Sequence, residues 1–193
     1  MIEEEKTGNR VRPRDSARVN AIIATTEIRD QPEVVNCVSF NWEGTFVAIG
    51  TNKGFRINRC ANQKHSSVEP KLFHEIPGGV SIVKILGETN VVVYVGTREN
   101  ASLRKNLVVV WDAEAQEVIA ELAMAANVNE VSLRRDCLVV FLQRQTVVYA
   151  LETLQKFCSF DSHENDVGVG AISQDLDSFT LAAPVQQEGK QCL

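Results

Sequence analysis

One strand pattern recurs along this 193-residue chain about every forty-five residues, and that recurrence constrains the fold more than any other feature. Each unit reads as a strand, a tight turn, a second strand and a break at glycine or charge. The first pairs Val38-Ser39-Phe40 with Phe46–Gly50, and the second pairs Ile82–Leu86 with Val91–Gly96. The third pairs Val131-Ser132-Leu133 with Cys137–Leu142, and the fourth pairs Gly170–Ser173 with Phe179–Ala182. Aligned on Phe40, Ile85, Leu133 and Ile172, the steps are 45, 48 and 39 residues. Four-stranded propeller blades run roughly 40–45 residues. The expected fold is therefore all-β, a β-propeller of the WD-repeat type. A blade cannot bury its own faces, so such units work in a ring.

Further strands complete the units. Gly54–Ile57, Leu107–Asp112 and Thr146–Ala150 read as third strands, the second of these ending in a Trp-Asp dipeptide, a propeller signature. Lys71–Ile76, Val118–Leu122 and Lys156–Phe160 read as outer strands. Apolar residues alternate or run in Val- and Ile-rich blocks bounded by turn residues, which favours strands. Only Glu114–Ala126 has helical propensity, and there the register of the unit is expected to override it. The expected organisation is a flexible extension over 1–33, then a propeller over 34–193. Its blades fall at about 34–76, 77–122, 127–160 and an incomplete 167–193. Within the extension, Val19–Ile28 is β-branched enough to form a strand. Arg10, Arg12, Arg14 and Arg18 read either as a solvated tail or as a basic arm for anionic lipid, diluted by Glu3, Glu4, Glu5 and Asp15.

A net charge of −5 gives no support to nucleic-acid binding. No apolar run approaches a membrane span of roughly 18 residues, and the acidic start lacks the apolar segment of a secretory signal. The five cysteines, Cys37, Cys60, Cys137, Cys158 and Cys192, form no C-x-x-C pair, and four sit in or beside strands. They read as small buried apolar groups in a reducing, cytosolic compartment.

Catalysis finds no foothold. Asp161-Ser162-His163 sets three catalytic residue types side by side, but a working triad must converge in space, and adjacent residues point apart. Cys158 with His163 lacks any supporting partner. His65 and His74 are nine residues apart, without Cys or carboxylates at metal-ligand spacing. Gly78-Gly79 lacks the strand–glycine loop–helix setting of a nucleotide cofactor site and reads as a link between units. Neither metal nor cofactor is expected. Arg98, Arg104 and Lys105 lie in the long charged loop Thr97–Asn106 of the second unit. They read either as ordinary loop solvation or as a partner-docking site, because propellers bind through loops on a rigid scaffold.

Three ordered strings carry a family likeness. Val38–Asn41, Ala48–Thr51 and Gly54–Ile57 come first. Ile85-Leu86, Val91–Gly96 and Asn106–Asp112 follow. Val128–Arg135, Leu138–Leu142 and Val147–Tyr149 complete the set. Over about 34–185 the chain resembles the PROPPINs, the WIPI-type WD-repeat phosphoinositide-interacting propellers. The resemblance implies about three and a half of seven blades and a non-enzymatic scaffold of autophagy. It implies binding of phosphatidylinositol 3-phosphate and phosphatidylinositol 3,5-bisphosphate by the parent, in the cytoplasm and at phagophore, autophagosomal or endosomal membranes. It also implies recruitment of lipid-transfer and conjugation proteins through loops of the early blades, a role that maps to Thr97–Asn106. The family's lipid sites flank a Phe-Arg-Arg-Gly motif in later blades, and no such motif occurs here. Leu133-Arg134-Arg135-Asp136 comes nearest, and it is assigned to a hairpin turn. No lipid-binding residue carries over. The chain is expected to be a fragment whose open faces drive self-association or instability, and a cooperatively melting monomer would contradict that. The alternative reading is a WD-repeat protein-interaction module without a lipid role.

Overall fold

Strands buried on both faces need apolar residues at every position, whereas strands with one open face need them only at alternate positions. Both patterns occur in the structure, a computed structural model that describes residues 32–61, 67–97, 103–175 and 177–185. The chain divides into Met1–Pro32 and Glu33–Leu193, and every described strand belongs to the second unit. The Val19–Ile28 strand expectation lies outside the described residues.

Three four-stranded antiparallel sheets follow one another with the strand order of the sequence. The first contains β1 (Val35–Phe40), β2 (Phe46–Thr51), β3 (Gly54–Arg59) and β4 (Glu69–Glu75). The second contains β5 (Val80–Ile85), β6 (Val91–Gly96), β7 (Leu107–Asp112) and β8 (Glu117–Ala123). The third contains β9 (Val128–Leu133), β10 (Cys137–Leu142), β11 (Gln145–Ala150) and β12 (Lys156–Asp161). A two-stranded hairpin, β13 (Ala171–Ile172) with β14 (Leu181–Ala182), begins a fourth sheet. The architecture is the expected partial propeller. The helical propensity of Glu114–Ala126 is overridden, because β8 pairs with β7 along its length.

The cores lie between the sheets. Phe46, Ala48, Phe55 and Ile57 of the first sheet meet Val83, Val92, Tyr94 and Trp111 of the second. The opposite face of the second sheet, with Val93, Val95, Val108 and Val110, packs on Val131, Leu138, Val140 and Val147 of the third. Cys137, Val139, Phe141 and Val148 then turn to Ile172 and Leu181 of the hairpin. This is why β10 is buried throughout, while β2 alternates between buried and half-buried residues. Each fully buried Val or Leu contributes about 1.5–3 kcal/mol. The outward face of the first sheet leaves Val38, Phe40 and Phe73 exposed among the described residues.

Polar side chains fix the register between sheets. Asn36 Nδ2 donates to the Val80 carbonyl at 2.9 Å, Ser39 Oγ donates to the Val83 carbonyl, and Asn41 Nδ2 donates to the Gly87 carbonyl at 3.0 Å. Further along, Asn129 Nδ2 donates to the Asn165 carbonyl and Gln174 Nε2 to the Leu133 carbonyl, each at 2.9 Å. Gly78-Gly79 makes the link between the first two sheets. Gly79 has φ +73°, and a Cβ there would strike the Thr51 carbonyl, so only glycine fits.

His74 of β4 sits in an aromatic cluster at the first inter-sheet core. Its ring centroid lies 4.4 Å from Trp111 and 5.3 Å from Phe55. Burial holds the imidazole below its ordinary value. The unfolded chain therefore takes up a proton more readily than the folded one. Stability is complete while both states are neutral and declines as pH falls through the unfolded value of about 6.5. The melting temperature should drop between pH 7.5 and pH 5.5, and His74→Phe should reduce that drop. An equal drop in the variant would remove His74 from the explanation.

Candidate partner-docking rim

In an antiparallel four-stranded sheet, the turns after the first and third strands lie at one end and the turn after the second lies at the other. The β6–β7 connection, which carries Arg98, Arg104 and Lys105, therefore emerges at the end opposite the β1–β2, β5–β6 and β9–β10 turns. Its base is anchored at both sides. Thr97 Oγ1 donates to the Gly78 carbonyl at 2.7 Å. Leu103 is buried and packs against Gly96, where a Cβ would strike the Leu103 carbonyl.

Arg104 and Lys105 come together in the turn that starts β7. The Arg104 carbonyl accepts from the Leu107 N–H at 3.0 Å, and the Lys105 carbonyl accepts from the Val128 N–H at 2.9 Å. Asn106 Nδ2 adds a bond to the Met124 carbonyl at 3.0 Å. The backbone of the turn thus joins the second sheet to the third, while the Arg104 side chain is exposed and that of Lys105 is half-buried. The arrangement presents two cations on a rigid base at an inter-sheet junction. Arg98 lies outside the described residues.

The other candidates separate. Ser162 is buried and shares a 2.9 Å hydrogen bond with Thr146 Oγ1, while Asp161 and His163 are exposed, so the adjacent trio does not converge. Cys158 packs beside the third core. His65 lies outside the described residues and His74 is in the aromatic cluster. Among the described residues no three His, Cys, Asp or Glu side chains gather as metal ligands. Cys37, Cys60, Cys137 and Cys158 are free thiols. Burial, reinforced by the Asp136 carboxylate, pushes the Cys137 thiol up to about 11. That makes it a poor nucleophile. Cys192 lies outside the described residues.

The turn assignment of Leu133–Asp136 matches the structure, but the two arginines in it differ. Arg135 is exposed. Arg134 is only 3 % exposed and forks onto Asp136, Nε to Oδ1 at 2.7 Å and Nη2 to Oδ2 at 3.0 Å. Its Nη1 donates to the Ser178 carbonyl at 2.8 Å and reaches the Ser173 carbonyl at 3.4 Å. Arg134 thereby ties the third sheet to the final hairpin. No local pattern distinguishes it from its neighbour in sequence.

No protein-family model matches the chain. It is 27% identical over 157 residues to autophagy-related protein 18 of Saccharomyces cerevisiae, covering 80% of this chain and 30% of that protein. The chain thus spans about a third of the length of the curated relatives it matches. Among solved structures it superposes on Kluyveromyces lactis Hsv2 with loop 6CD replaced by a Gly-Ser linker. The TM-score is 0.64 at 19% identity, over 80% of this chain and 46% of that one. A complex of KlAtg21 with the coiled-coil of AgAtg16 gives a TM-score of 0.57 at 18% identity, over 74% and 44% of the respective chains. These structures share the fold, and the sequence match carries the kinship. With its sheets, its inter-sheet cores and that match in agreement, the chain is a homologue of the autophagy-related protein 18 propellers, the PROPPINs.

Proposed function

We propose that this chain is part of a seven-bladed, non-enzymatic scaffold of autophagy, with propeller blades from 34 onward. The observation that carries the reading is the 157-residue match to autophagy-related protein 18, which runs through all three complete sheets. The parent protein binds phosphatidylinositol 3-phosphate or the 3,5-bisphosphate through blades beyond this chain, at phagophore or endosomal membranes, and works from the cytoplasm. The rim that presents Arg104 and Lys105 takes an acidic protein partner of the autophagy machinery, with Arg98 of the same connection as a further expected contact. A coiled coil is the favoured class, because one structural relative is in complex with one. Arginine on a rigid, partly desolvated base is a favoured interface anchor.

The test is a charge reversal, Arg104→Glu with Lys105→Glu, in the tagged protein expressed from its own gene. Capture of the autophagy coiled-coil protein should fall at least ~10-fold, the factor that matches about 1.4 kcal/mol. The melting temperature should hold, because the turn's bonds use backbone atoms. Unchanged capture together with unchanged autophagic flux would leave the alternative, an interaction module outside autophagy. In flotation with phosphatidylinositol 3-phosphate vesicles, this chain alone should remain in solution. Flotation would place a lipid site in these blades and overturn that part of the reading.

A further inference from the structure

The outer strand of a sheet presents one row of backbone N–H and C=O groups to any chain that can pair with it, and proteins guard such edges with charge, proline or bulges. Each four-stranded sheet here has such a strand, β4, β8 or β12. The three are guarded unequally. β4 opens with Glu69-Pro70, and proline cannot donate to a ladder. β8 carries Glu117 and Glu121 and no cation, so a second copy laid against it would bring carboxylates together. β12 reads Lys156-Phe157-Cys158-Ser159-Phe160-Asp161, with a cation at one end and a carboxylate at the other. Lys156 and Asp161 are both exposed, and neither makes an ion pair with a described residue.

The backbone fixes which groups face the open edge. β12 pairs with β11 on one side, and among the described residues no strand pairs with its other side. Ser162, just past the strand, bridges with Val185, so the open edge ends at Asp161. The Ser162 N–H donates to the Arg144 carbonyl at 2.9 Å. Hydrogen-bonded and non-hydrogen-bonded pairs alternate along an antiparallel ladder. Phe160 and Cys158 therefore turn their backbone groups toward β11, and Ser159 turns its own to the open side.

A bulge sets the side chains. Val148 stands opposite Cys158 and Tyr149 opposite Lys156, which leaves Phe157 as the extra residue, 78% exposed. Lys156 and Asp161 are five positions apart and would lie on opposite faces of a regular strand. The bulge brings them to one face, the face of Ser159, because their partners Tyr149, Val147 and Gln145 alternate regularly along β11.

We propose that the open edge of β12 docks the same edge of a second copy of this chain, antiparallel, about a two-fold axis at Ser159. In that register Ser159 of each copy exchanges backbone hydrogen bonds with Ser159 of the other, and Cys158 stands opposite Phe160 of the second copy. Past the bulge, Lys156 stands opposite Asp161 of the second copy on the same face. The symmetry makes that ion pair twice. The two third sheets become one sheet of eight strands. The proposal uses only the third sheet and does not depend on the autophagy reading.

The test is sedimentation of the chain over a range of concentrations, where a dimer is expected. Lys156→Asp and Asp161→Lys should each weaken it at least ~10-fold, because each sets like charges opposite one another at both ends of the ladder. Mixing the two variants should restore the dimer, since the mixed pair again opposes unlike charges at both ends. Opposed residues of a hydrogen-bonded antiparallel pair have Cα atoms about 5.5 Å apart, within the reach of a disulfide. Ser159→Cys should therefore give a covalent dimer on mild oxidation, whereas Glu117→Cys on β8 should give no more than the unaltered chain with its native thiols. A monomer at every concentration would overturn the proposal. So would a dimer indifferent to both charge changes, which would assign self-association to the open faces of the sheets.

Discussion

Replacing Trp111 with alanine is expected to lower stability by about 3–5 kcal/mol, the cost of emptying a large aromatic site that cannot collapse. Trp111 stands on β7, paired with Val92 and Val118 of its own sheet, and faces the first sheet. It meets Phe55 edge-on at 5.6 Å and His74 at 4.4 Å. Its loss strips both sheets of their shared filler. For a chain of this size, each kcal/mol moves the midpoint by about 2–4 °C, so the melting temperature should fall by about ten degrees. Trp42→Ala is the matched contrast. That side chain is mostly exposed, and exposed sites usually change stability by no more than about 0.5 kcal/mol. Thermal unfolding followed by circular dichroism checks both. Comparable losses in the two variants would mean that the first inter-sheet core does not govern stability.

Arg134→Met is expected to free the final hairpin while leaving the first three sheets intact. β13 and β14 share only two residue pairs, Ala171 with Ala182 and Ile172 with Leu181. Such a short ladder does not hold itself. Its anchors are the apolar contact with the third core, the Gln174 bond to the Leu133 carbonyl, and the Arg134 donors on Ser178 and Ser173. Methionine keeps much of the volume but takes the Arg134 donor from both carbonyls, leaving Ser178 with only Ser173 Oγ, and an unmade bond at a half-buried site costs more than the bond contributes. Hydrogen exchange over 171–182 should accelerate at least ~10-fold, with β6 and β10 unchanged. Arg134→Lys should restore little, since one ammonium cannot serve Asp136 and Ser178 through a planar fork. Unaltered exchange in both variants would show that Ile172 and Leu181 hold the hairpin unaided.

The sequence is most legible where burial is most uniform. Val91–Val95 and Cys137–Leu142 are apolar at nearly every position because a neighbouring sheet covers each face, and a run of that kind is readable locally. The inner strands are longer than their apolar cores suggest. β1 begins at Val35 and β9 at Val128, because Asn36 and Asn129 continue each strand while their side chains reach the next sheet. A polar residue whose partner lies 44 positions away looks like loop in a local window. Arg134 is the same case more sharply drawn, since only its distant carbonyl partners set it apart from Arg135. The rim cations were visible as a charged loop.

The side-chain bonds that tie each sheet to the next have a consequence for synthesis. Asn36, Ser39, Asn41, Asn129 and Gln174 all link sheets that are consecutive in the chain. Among the described residues the inter-sheet cores are likewise shared by consecutive sheets. Within these three sheets and the final hairpin, a nascent chain leaving the ribosome therefore does not wait for a distant segment before it can settle. Each sheet is completed on arrival of the one directly behind it, and docking proceeds from the amino end in the order of translation. Slow codons or pauses placed between units would help this assembly, whereas pauses within a unit would leave half a sheet waiting with its edge bare.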